Sequence, residues 1–111
     1  MGRIGSSLLP ALFLVAAALL EVGGDAVVRR GLRGRGGWLV AAGCLMLAAY
    51  GVVVNLVPWD LSRLLGTYVA VFAVVSVLAG RFWFGEAVPR STWLGLALIV
   101  LGAGVIQSGR R

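Results

Sequence analysis

The run FLVAAALLEVGGDAVVRR, Phe13 to Arg30, sets one carboxylate, Glu21, among apolar side chains and a second, Asp25, four residues later. In a helix Glu21 stands eight residues before Arg29, which at about 1.5 Å per residue is roughly 12 Å in from the cationic end. In a bilayer that depth is near the midplane. An ionised carboxylate is costly there unless a watered cavity or a cation compensates it, and burial favours the neutral, protonated form. Such a group can exchange a proton for a cationic ligand, because either one neutralises it. The structural alternative is a glutamate paired permanently with an arginine, or one simply protonated and packed against a neighbouring helix.

Asp25 shares the helical face of Glu21 at i+4 and lies at i−4 to Arg29, so a helix-end ion pair with Arg29 is the favoured reading. As a second site carboxylate it would instead crowd like charge against Glu21 and favour protonation of one of the two. Tyr50 and Tyr68 fall inside apolar runs; a phenol there can hydrogen-bond a carboxylate or offer a π-face to an organic cation, or pack with a hydroxyl partner. Asn55, Thr67 and Ser76 are candidates for a polar path or for bonds between helices. Arg63 and Arg81 read as anchors or as a fixed partner for Glu21, and Glu86 as a solvated charge. Gly23 and Gly24 allow either close helix approach or room beside the carboxylate, and Gly95 and Gly102, seven apart, form a thin face suited to helix pairing or to packing within the chain.

The elements that must position these groups are membrane spans. Of 111 residues 60% are apolar and 13% charged, against roughly 45–50% and 25% in soluble proteins. Four apolar segments, approximately 7–28, 38–57, 64–84 and 92–107, are each close to the ~20 residues that cross a bilayer. Lipid offers no partner to backbone N–H and C=O groups, so the spans must be helices, and they lack the alternation of barrel strands. The expected fold is a single all-α domain, an integral membrane protein with four transmembrane helices.

The net charge of +6 comes from arginines that cluster where spans end, which suits snorkelling and anionic headgroups rather than nucleic acid. The one cysteine, Cys44, precludes an internal disulfide, and histidine is absent. No nucleophile–base constellation, metal spacing or P-loop pattern is present. Neither enzymatic activity nor a cofactor or metal is therefore expected.

Trp38, Trp59, Trp83 and Trp93 mark span boundaries as an interfacial belt, and Pro58 and Pro89 punctuate the second and third loops. Six arginines lie in loops one and three (Arg29, Arg30, Arg33, Arg35, Arg81, Arg90), against four with loop two and the termini (Arg3, Arg63, Arg110, Arg111). This bias places loop one in the cytoplasm and both termini outside, by a margin small enough to allow dual insertion. A cleavable signal around Ala16 to Ala18 is disfavoured, because the apolar run continues to Val28.

Four spans, an acid in the first and small residues in the fourth resemble the small multidrug resistance transporters of the drug/metabolite transporter superfamily. The segment SRLLGTYVAVFAVVSVLAGRFWFGEAVPRSTWLGLALIVLGAG is most similar to the YnfA-like family of bacterial inner-membrane proteins, with Arg63, Tyr68, Arg81, Gly85, Trp93 and Gly95 at matching spacings. The resemblance covers nearly the whole chain. It implies a paired homodimer in which Glu21 binds protons and a small cationic substrate in turn, and helices that rock around a site near the midplane. Tyr68 alone represents the tyrosine–tryptophan pair expected in span three, which weakens the case for bulky aromatic drugs. Asp25 and the dense arginine loop are also departures from the pattern. Two other readings keep the four spans: a lipid-carrier flippase subunit paired with another small membrane protein, and a non-transporting scaffold in which Glu21 meets a partner's arginine.

Overall fold

The computed structural model describes residues 2–109, with side chains described at 8–34 and 36–109. The side chains of Arg3, Ser7 and Arg35, and all of Arg110 and Arg111, on which the first span limit and the orientation bias drew, lie outside the described residues. Every regular element among the described residues is helical: α1 (Gly2–Arg30), α2 (Gly37–Val54), α3 (Leu61–Phe82) and α4 (Arg90–Ser108). All four contain stretches long and apolar enough to cross a membrane. The shortest, the 18 residues of α2, extends about 27 Å.

The helix ends follow local chemistry. After Arg30 the chain enters a wide helical turn, Gly31–Arg35, where Arg33 (φ −90°, ψ 24°) and Gly34 (φ 101°, ψ 5°) leave helical geometry. Gly36 (φ 123°) then starts α2; both positive angles fall in a region that strains any residue with a Cβ. α2 stops at Val54, short of the expected Val57. Asn55 donates its side-chain N–H to the Gly51 carbonyl at 2.8 Å, satisfying one of the acceptors that a helix end leaves over. α3 begins at Leu61, three residues before the expected Leu64, which puts Arg63 inside its first turn. It ends at Phe82, and α4 starts directly after Pro89, whose ring suits a helix N-cap position but cannot continue a preceding helix.

The chain divides into two compact units, Met1–Val57 and Pro58–Arg111, each a helical hairpin. In the first, α1 and α2 run antiparallel with their backbones unusually close. A Cβ built on Gly43 would lie 2.5 Å from Val28 Cγ2 and 2.8 Å from the Gly24 carbonyl oxygen, while one on Gly24 would lie 3.0 Å from the Leu47 side chain. Of the two purposes open to Gly24, close approach is the one realised. The buried apolar residues of this unit include Leu14, Ala17, Ala18, Val54 and Val57.

In the second unit α3 and α4 are also antiparallel. Gly66 makes room for Ile106, whose Cδ1 would be 2.7 Å from a Cβ at that position. Polar groups then tie the ends: Arg63 Nη2 donates to Gln107 Oε1 at 3.2 Å, and Gln107 Nε2 donates to Thr67 Oγ1 at 2.6 Å. Large aliphatic side chains remain outside both hairpins, among them Leu45, Val52, Leu94, Leu98, Leu101 and Val105. In water so much exposed apolar surface would drive association, whereas hydrocarbon solvates it without penalty.

Candidate functional site

The register of the first hairpin builds the candidate site. Val28 packs against Gly43. Seven residues back along α1 stands Glu21, and seven residues forward along α2 stands Tyr50. Seven residues are about two helical turns, so an antiparallel pair that brings Val28 to Gly43 brings the carboxylate to the phenol. The two side chains are half-buried and lie within reach of an electrostatic interaction. An anionic oxygen beside a phenol and an aromatic face is an arrangement that can bind either a proton or a small organic cation.

Gly23 and Gly24 contribute by letting α2 approach. A Cβ on Gly23 would meet Met46 Cε at 3.0 Å, so α2 meets α1 there through the tip of a flexible thioether. Gly43, a residue the sequence reading did not single out, does as much to set the spacing as Gly24. Its signal was a small residue within a run of larger apolar ones, GWLVAAGCLML, which has meaning only once the facing helix is known.

Asp25 is placed differently. Its side chain is exposed, and the favoured helix-end pair is not formed: among the described residues no ion pair or hydrogen bond joins Asp25 to Arg29. Exposed pairs one turn apart gain little, and long arginine side chains lose freedom in making them. Cys44 is exposed on α2. Among the described residues no group of three metal-ligating side chains comes together.

Tyr68 belongs to the second hairpin. It is buried, with its ring centroid 6.2 Å from that of Phe72 in a tilted arrangement. The Arg63 guanidinium lies 3.9 Å above the Trp59 ring, so Trp59 holds a cation of its own chain as well as marking a span boundary. Thr67 accepts from Gln107 as described, and Gln107 is a second residue the sequence reading passed over. Ser76 donates to the Ala73 carbonyl of its own helix at 3.0 Å. Arg81 lies 5.4 Å from the Phe82 ring. The Glu86 carboxylate sits against Gly80, where a Cβ would be 2.5 Å from Oε1, and helps line an open cavity of about 200 Å³ with Ser76, Pro89 and Thr92. Around Gly95 and Gly102 nothing among the described residues comes within 4 Å of an added Cβ. That thin face of α4 is not used for packing within the hairpin.

Fold and site together define an all-α integral membrane protein with four apolar helices and an acid within the first. The chain belongs to the family described as "Uncharacterised BCR, YnfA/UPF0060 family", whose model matches residues 7–111. A UPF0060 membrane protein of Synechocystis is 32% identical over 90% of this chain and 94% of its own length. One from Mycolicibacterium gilvum is 39% identical over 91% and 95%, and one from Frankia casuarinae is 39% identical over 100% and 99%. No solved structure matches the chain.

Proposed function

We propose that the protein is a proton-coupled exporter of small cationic or amphipathic compounds in the bacterial inner membrane, working as a dimer. The observation that carries this reading is the placing of Glu21 opposite Tyr50 within two apolar helices. Intramembrane acids are expensive and characteristically mark ion or solute paths.

In the proposed cycle, ionised Glu21 binds the cation from the cytoplasmic side, with the Tyr50 ring offering its π-face. A proton arriving from outside neutralises the carboxylate and the cation leaves. Coupling requires only that the cation bind deprotonated Glu21 more tightly than the protonated form; by reciprocity the cation then displaces the proton. The family resemblance also implies a part for Tyr68 in recognising the solute. The open face at Gly95 and Gly102 supports pairing of two copies through α4. No covalent chemistry on the solute is involved, so the protein is read as a carrier and not an enzyme.

The test is proton release from detergent-purified protein on addition of tetraphenylphosphonium and smaller quaternary ammonium ions, with Glu21→Gln alongside. The native protein is expected to release protons in a saturable manner and the variant none. Release that persists unchanged in Glu21→Gln would sink the exchange mechanism, and absence of release with every cation would sink transport by this route.

A further inference from the structure

The corner between α1 and α2 gathers charge that the exchange site does not use. Arg29, Arg30 and Arg33 are all exposed, and among the described residues none of the three is engaged in an ion pair. Leu32 and Trp38, each 71% exposed, sit among them. The backbone holds this group close to its own hairpin. Gly31 is buried where a Cβ would lie 2.7 Å from the Val40 backbone nitrogen, and Gly34 and Gly36 complete the turn with positive φ. Trp38 folds back toward the loop, with its indole 3.3 Å from where a Gly36 Cβ would be.

We propose that this corner is a headgroup site for anionic phospholipid. Guanidinium groups match phosphate oxygens in charge and in their forked donor geometry, and remain cationic at any pH a cell meets. Leu32 and Trp38 lie at the level where two spans end, the depth at which an indole and an aliphatic side chain enter the boundary between headgroups and acyl chains. A soluble anion would meet the arginines alone and make no use of Leu32 and Trp38 beside them. A lipid satisfies both sets with one molecule. The acid nearest in sequence, Asp25, is one turn further into α1 and is not bonded to any of the three arginines, so it does not neutralise the corner.

The experiment compares native protein and variants in vesicles of phosphatidylcholine carrying trace spin-labelled phosphatidylglycerol or phosphatidylcholine, reading the fraction of label immobilised by the protein. Native protein is expected to favour the anionic label by about five-fold, with the preference falling as ionic strength is raised from about 0.05 M to about 0.5 M. Substituting Arg29, Arg30 and Arg33 together by Gln should bring the ratio to near one, and the corresponding Lys triple variant should retain most of it. Arg81→Gln with Arg90→Gln, which removes exposed charge from the other hairpin, serves as the control and should leave most of the preference intact. The proposal falls if native protein shows no preference, if the Gln triple variant keeps it, if the Lys triple variant loses it as fully as the Gln one, or if the Arg81/Arg90 variant abolishes it equally. Helix content measured on each variant separates these outcomes from misfolding.

Discussion

Tyr50 of α2 stands across from Glu21 of α1, two turns along the antiparallel register from the contact of Val28 with Gly43. This placement across the hairpin makes Tyr50 the first residue to change after Glu21 itself. Tyr50→Phe removes the hydroxyl and keeps the ring, and cation affinity should fall a few-fold, because a polar group that favours the ionised carboxylate is lost. Tyr50→Leu removes the π-face as well and should cost more. Titration calorimetry with a quaternary ammonium ion checks both; two silent variants would remove Tyr50 from the site.

Gly43→Val should open the first hairpin. Its side chain would press on the Val28 Cγ2 and on the Gly24 carbonyl, and backbone cannot move aside as a side-chain tip can. The expected loss is about 1–3 kcal/mol, the usual scale of overpacking, visible as a lower thermal midpoint in detergent. Gly51→Val on the same helix has open space around it and should be close to neutral. Equal effects at the two positions would contradict the close crossing.

The bonds from Gln107 to Arg63 and Thr67 should behave as one unit. A double-mutant cycle between Thr67→Val and Gln107→Leu is expected to give a coupling above the average of about 0.6 kcal/mol for hydrogen bonds between membrane helices, and below about 1.7 kcal/mol. The 2.6 Å separation of Gln107 and Thr67 supports the upper part of that range. Additive losses in reversible unfolding would mean that the two side chains do not stabilise the hairpin together.

Gly95→Val and Gly102→Val separate packing within the chain from pairing between chains. Since an added Cβ meets nothing within 4 Å among the described residues, neither change should lower the stability of the hairpin itself. Both should weaken self-association, measured as energy transfer between labelled copies in vesicles. Unchanged energy transfer in both variants would place the dimer contact elsewhere.

Much of this was legible in the residues. An 18-residue apolar run has few ways to exist in lipid, so the number of helices and the depth of Glu21 followed from composition and spacing. The limits of α2 and α3 were less legible. The Asn55 side chain ends α2 by bonding back to Gly51, and Arg63 is drawn into α3 by contacts with Gln107 and Trp59; both depend on partners that hydropathy does not register. The ion pair expected of Asp25 and Arg29 rested on spacing alone, and spacing permits a contact between exposed side chains without supplying the energy to hold it.

By itself, then, the sequence determined the solvent of this protein, its four helices and the presence of an acid deep in the first, because hydrophobic length and the need to satisfy backbone hydrogen bonds act along the chain. Which groups meet was decided only by tertiary structure. Glycines at 24 and 43 let two backbones approach, the approach set the register, and the register brought Tyr50 to Glu21 while leaving Asp25 and the arginine corner exposed. Helix pairing joins residues distant in sequence through shape, and shape complementarity is a property of two surfaces that no single stretch of the chain contains.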